Sequence, residues 1–135
     1  MAFFAWQDEL SVGHRFIDKD HQRLIQLINE LHEAMAQGRG KAALAKTLGD
    51  LILYTKEHFA REEAEMTRIR YSAAPAHREE HAKLVREVLA LQKQFNEGGA
   101  LSAVRVSGFL KTWLVDHIQT SDKAFGVAIK QAQAA

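Results

Sequence analysis

Apolar residues recur at intervals of three and four along most of this chain, through stretches with little glycine and a single proline. Leu24, Ile25, Ile28, Leu31 and Met35 form the first such stripe, which predicts a helix from about Ile17 to Gln37. The second stripe runs Leu44, Leu48, Leu51, Thr55, His58, Glu62 and Met66, and predicts a helix from about Lys41 to Arg68. A third helix begins near Pro75, a residue suited to a first helical turn, and carries Leu84, Val85, Val88, Leu91 and Phe95 on the stripe that starts with His77 and His81. The fourth is predicted from about Leu101 to His117, with Val106, Leu110, Trp113 and Leu114 preceding His117 on its inner side. "DKAFGVAIKQAQ" predicts a shorter terminal helix. The glycines of "QGRG" (37 to 40) and "NEGG" (96 to 99) mark two breaks, while Gly49 and Gly108 fall inside helices at a cost of about 1 kcal/mol each.

Helices with one apolar stripe must bury it against one another, and short connections force neighbours to run antiparallel. The expected fold is therefore all-α: an antiparallel up-down-up-down four-helix bundle, its helices about 30 Å long. The first 16 residues show no clear period, so they predict an N-terminal arm against the bundle, and the last segment a short C-terminal helix. A length of 135 residues and 47% apolar content suit one domain over residues 1–135.

Charge narrows the function. Lysine and arginine number 18 against 17 acidic residues, interspersed rather than blocked, which speaks against nucleic acid as a partner. No apolar run reaches the roughly 20 residues that span a bilayer, and "MAFFAW" lacks the form of a signal peptide, so the expectation is no membrane insertion and a cytoplasmic location. With no cysteine, disulfides and thiolate metal sites are excluded, and any metal must be held by nitrogen and oxygen.

The polar residues on the inward stripes carry the chemistry. "HFARE" spaces His58 and Glu62 four apart, and "HREEH" does the same for His77 and His81. His21 stands near the start of the first helix and His117 at the end of the fourth, and in this topology all these ends meet on one side of the bundle. Burying such groups without partners costs a few kcal/mol each, more when they are charged. Metal coordination resolves that cost, and five histidines with a glutamate point to two ions. A second carboxylate is needed between them, and Asp122 is the candidate. Five residues of α-helix leave Asp122 roughly 140° around the axis from His117, so the helix must end or loosen between Ile118 and Asp122. His32 would sit roughly 16 Å along the helix from His21, too far to join, and reads as a satisfied histidine in or beside the core. His14 reads as a surface or packing residue of the arm. Glu63 and Glu79 fall off the inward stripe and Glu80 lies at its edge, so these belong to solvated faces.

The ordered set "WQDELSVGHRFIDKDHQRL", "HFARE", "HREEH" and "WLVDHIQTSD" resembles the hemerythrin family, its single-domain bacterial members in particular. The resemblance implies that His77, His81 and His117 bind one non-haem iron and His21 and His58 the other. Glu62 and Asp122, with an oxo or hydroxo group, would bridge them. One iron then has six ligands and the other five, and dioxygen would enter the open position and leave it again. Helical phase makes Trp113, Leu114, Ile28 and Phe59 the candidates to line a dry pocket there, and Tyr54 the nearest candidate proton donor. Asp20 stands beside His21 where many such relatives have glutamine. The implied function is carriage, storage or delivery of dioxygen to an oxygen-consuming protein, by a monomer and not an enzyme. The alternatives are a diiron oxidoreductase acting on peroxide, nitric oxide or dioxygen, and an oxygen or redox sensor.

Overall fold

Helix α1, Arg15–Ala36, begins two residues earlier than its apolar stripe predicts because His14 caps it. The His14 backbone is extended, and its Nδ1 accepts the Ile17 N–H at 3.3 Å, satisfying one of the donors that a helix start leaves without a partner. From the same first turn Asp18 reaches back to accept the Val12 N–H at 2.8 Å and the Ser11 hydroxyl, which ties the incoming arm to the helix. The computed structural model describes residues 3–38, 41–97 and 103–134. Within them α2 spans Lys41–Ile69, α3 Ala74–Asn96, α4 Ala103–His117 and α5 Lys123–Ala134. A 3-10 turn at Asp8–Leu10 lies in the arm, and a π-helical turn at Ile118–Asp122 joins α4 to α5. The expected start of the fourth helix at Leu101 and the glycines at 40, 98 and 99 lie outside the described residues.

The connection from α2 to α3 is tight although it holds no glycine. Tyr71 N–H returns to Met66 O at 2.9 Å and Arg70 N–H to Thr67 O at 3.2 Å, with Arg70 in the left-handed region at φ 55°. This is the double-bonded helix ending that usually takes glycine, and an arginine there costs about 1–2 kcal/mol. The turn reverses the chain at once, so the end of α2 lies level with the start of α3.

α1 packs against α2 and α4, α2 packs against α3, and α5 folds back against the π turn and α2. Leu31, Leu51, Met66, Leu84, Ile118 and Phe125 are almost fully buried in the shared core, each such side chain worth about 1.5–3 kcal/mol of burial. The arm lies on the bundle, as its lack of period suggested. Phe4 exchanges two hydrogen bonds with the Asn29 side chain, at 2.8 and 2.7 Å, and Lys111 donates to Phe3 O at 2.8 Å. All regular structure among the described residues is helical, and no helix among them is long and apolar enough to cross a membrane.

Candidate metal centre

Four helix ends and the π turn deliver seven side chains to one place. His21 comes from the first turns of α1, His58 and Glu62 from the last turns of α2, His77 and His81 from the start of α3, and His117 from the end of α4. Asp122 is supplied by the π turn. There Lys123 N–H reaches back five residues to Ile118 O, so the backbone is wider than an α-helix and Asp122 swings in beneath His117 instead of facing away. The loosening required by the sequence is this turn. All seven side chains are buried, from 0% exposed for His21 and Asp122 to 4% for His117.

Their donor atoms form two overlapping sets. Glu62, His77, His81, His117 and Asp122 make one, and His21, His58, Glu62 and Asp122 the other, the donor atoms of each lying within 4.8 Å of one another. Asp122 Oδ1 lies 3.0 Å from His77 Nε2 and 3.1 Å from His117 Nε2, while its Oδ2 lies 3.0 Å from His21 Nε2. Glu62 Oε1 is 3.4 Å from His58 Nε2 and 3.2 Å from His81 Nε2. Each carboxylate thus faces both sets.

The protonation of this cluster tests whether it fits metal. His58 Nδ1 contacts Asp20 Oδ2 at 2.9 Å and His81 Nδ1 contacts Glu63 Oε2 at 3.1 Å. Ionised carboxylates only accept, so both rings carry their proton on Nδ1 and turn the Nε2 lone pair inward. His81 Nε2 then presents its electron pair to His117 Nε2 at 3.2 Å and to the Glu62 carboxyl at 3.2 Å. Both oxygens of Glu62, both of Asp122 and His21 Nε2 are buried without a hydrogen-bond partner. A core of buried carboxylate oxygens and an imidazole nitrogen without such partners is costly by itself and becomes favourable around cations. The residues fit.

Electrostatics agrees. Burial, aided by the Asp122 charge, pushes the Glu62 carboxyl well above the usual carboxylate range. Burial acts the same way on Asp122, but the imidazoles of His117, His21 and His77 beside it, at 3.0 to 3.1 Å, outweigh it and hold this carboxyl well below its ordinary value. Burial, with His117 and His77 close by, pushes the His81 imidazole down to about 2, and burial lowers His58 as well. Two imidazoles therefore stay neutral and available as ligands at any pH near neutrality.

Beyond the donors lies an apolar cavity of about 20 Å³. Trp113, Leu114, Ile28 and Phe59 all line it, joined by Leu24, Leu51, Leu84, Leu110 and Thr55. Phe59 stacks on His81 at 3.7 Å and Trp113 on His117 at 4.4 Å, so the cavity wall also fixes two rings of the donor cluster. The Thr55 hydroxyl donates to Leu51 O at 2.8 Å.

Other assignments are corrected. Tyr54 donates to Asp20 Oδ1 at 2.8 Å and so serves the outer side of His58. Glu63 is the partner of His81 rather than a solvated charge, and exposed Glu80 receives the Ser121 hydroxyl and lies 3.9 Å from His117 Nδ1. His32 stacks on Phe3 at 4.0 Å, its buried Nδ1 lacking a hydrogen bond. The pairing of Asp20 with His58 leaves no mark in the sequence because the two belong to different helices.

A helical bundle with two donor sets that share two carboxylates defines a class of protein whose core would hold a pair of metal ions. Residues 12–128 match the family described as Hemerythrin HHE cation binding domain. The chain is 35% identical over 132 residues to the bacteriohemerythrin of Pseudomonas aeruginosa, covering 98% of this chain and 85% of that one. It is 36% identical over 127 residues to the bacteriohemerythrin of Methylococcus capsulatus, covering 93% and 96%. Myohemerythrin of Riftia pachyptila is 30% identical over 119 residues, 88% of each chain. The crystal structure of wild-type hemerythrin superposes with a TM-score of 0.89 at 35% identity, over 94% of this chain and 98% of that one. The chain belongs to the hemerythrin family.

Proposed function

We propose that this chain, one hemerythrin-like domain over residues 1–135, binds dioxygen reversibly at two non-haem irons. His77, His81 and His117 hold one iron and His21 and His58 the other, with Glu62 and Asp122 shared. One observation carries the reading: the two sets share their carboxylates but offer five donors on one side and four on the other, which leaves one side a ligand short. The two irons supply two electrons and an open position for dioxygen.

The chain's own residues make that binding reversible. Phe59, Trp113, Leu114 and Ile28 enclose room for about one molecule of water size, and an apolar lining keeps such a space dry. Thr55, the polar member of that lining, already gives its proton to Leu51 O. Tyr54 points its proton away, to Asp20. A ligand held there meets few protons with which to react further, which favours release over reduction. Binding and release, rather than turnover, suit carriage, storage or delivery to an oxygen-consuming protein in the cytoplasm. Among the described residues, the large exposed apolar side chains Phe16, Leu53, Leu89 and Val127 lie on four different helices, which supports a monomer.

The test is an absorption spectrum of the iron-loaded protein, reduced without oxygen, exposed to air and returned to low oxygen. A visible band that comes and goes through repeated cycles is expected. Immediate, irreversible oxidation would instead make the chain a diiron oxidoreductase or a redox sensor.

A further inference from the structure

His58 presents one ring nitrogen to the donor cluster and the other to a polar network reaching the surface. Asp20 Oδ2 takes both the His58 Nδ1–H and the Arg61 Nε–H at 2.9 Å, and Asp20 Oδ1 takes the Tyr54 hydroxyl at 2.8 Å. A carboxylate that receives three donors is ionised. Exposure rises outward through this chain of contacts, from 1% for the His58 side chain to 15% for Asp20 and 49% for Arg61. A full negative charge therefore sits one hydrogen bond behind a donor of the four-membered set, the one with room for dioxygen.

We propose that Asp20 is a positioning residue for this centre: acting through His58, it fixes the ligand tautomer and lowers the reduction potential of the iron that takes dioxygen, with Arg61 and Tyr54 moderating its pull. The inference rests on the diiron reading above. Its cause is electrostatic. A carboxylate behind an imidazole N–H raises the basicity of the opposite nitrogen, and that stabilises the more highly charged ferric state. Arg61 and Tyr54 draw electron density from the same carboxylate, so losing either strengthens its effect on His58. A glutamine at this place would hold the tautomer without the charge. The acid thus sets the potential lower than an amide would.

The sign of the change separates this role from a packing role. Asp20→Asn keeps an acceptor and loses the charge, whereas Arg61→Met and Tyr54→Phe keep the charge and lose its partners. In the full-length iron-loaded proteins, a mediated titration with dithionite, which supplies one electron to each iron, reads the midpoint. Asp20→Asn is expected to move the ferric/ferrous equilibrium about tenfold toward ferrous, about 59 mV upward for a one-electron step. Arg61→Met and Tyr54→Phe are expected to move it the other way. In the metal-free protein, nitrogen-15 NMR is expected to show the His58 proton on Nδ1, and Asp20→Leu to lose that preference. An unchanged midpoint in fully loaded Asp20→Asn, or shifts of one sign in all three variants, overturns the proposal. Should Asp20→Asn fail to fold, a midpoint that does not fall in Arg61→Met and Tyr54→Phe overturns it equally. Absence of iron from the wild-type protein defeats the diiron reading instead, and the NMR result then decides the positioning of His58 alone.

Discussion

Glu62 concentrates the energetic problem of this centre in one side chain. It is 2% exposed, neither oxygen is hydrogen-bonded, and burial pushes its carboxyl well above the usual carboxylate range, so iron competes with a proton for it. Because Glu62 belongs to both donor sets, Glu62→Ala should lower iron content and the thermal stability gained on loading together. Metal analysis beside calorimetry reads both, and full stoichiometry in the variant would remove Glu62 from the ligands. His32→Gln, by contrast, should leave the metal spectrum as it is, because His32 stacks on the arm at Phe3. Tyr54 offers a separate check on the Asp20 network. Burial and then the hydrogen bond to Asp20 raise it from 10.0 to about 12. Its folded-state value is raised, so its contribution to stability is complete below about pH 10 and is lost as the pH climbs through 12. Ultraviolet titration should find Tyr54 ionising near 12, and Asp20→Asn should bring it down toward its ordinary value. Six of the donors were legible in the sequence because each lies on an apolar stripe where a polar group needs a reason, whereas Asp122 was reached from the need for a second carboxylate. Asp20 and Glu63 were not, since a hydrogen bond between helices depends on side-chain direction that periodicity does not carry.

Among the elements, α1 to α3 could be placed to within about two residues from spacing alone, because each apolar stripe is long and uninterrupted. The ends were harder to read. Arg70 adopts a left-handed conformation that the sequence gives no reason to expect there, and the cap of α1 is a histidine rather than a hydroxyl or carboxyl residue. The loosened stretch after His117 followed from the angle between two ligands, but not its form as a π turn. The docking of the arm on α5 left no trace in the pattern at all. It depends on Gly126, where an added Cβ would come 2.3 Å from Val12 O. Backbone cannot yield there as a flexible side chain could, so Gly126→Ala should lower stability by about 1–3 kcal/mol. Denaturant melts measure this, and an unchanged midpoint would mean that the arm lifts off at no cost.

On the scale of the molecule, polar donors crowd one end of the bundle while Leu31, Leu48, Val88 and Val106 fill the rest. Stability should divide the same way. Removing the metal is expected to speed hydrogen exchange at the start of α1, the α2–α3 turn and α5, and to leave the middle of α1 protected. Acid should widen the contrast. The His81 value falls from 6.5 when free to about 2 when folded, so the unfolded chain binds the extra proton and stability of the metal-free protein declines as the pH drops below 6.5. Exchange measured at two pH values reads this, and uniform acceleration along all helices would contradict it. The π turn also reaches beyond the metals. Up to His117 the buried positions keep helical phase through Val106, Leu110 and Leu114. After it they fall at Asp122, Phe125, Gly126 and Ile129, each one residue late. The hydrophobic code of this chain thus contains a frameshift, and everything downstream is read in the new frame. Asp122 and the terminal helix face inward by virtue of the same extra residue, so a deletion that restored the old frame would re-aim both at once.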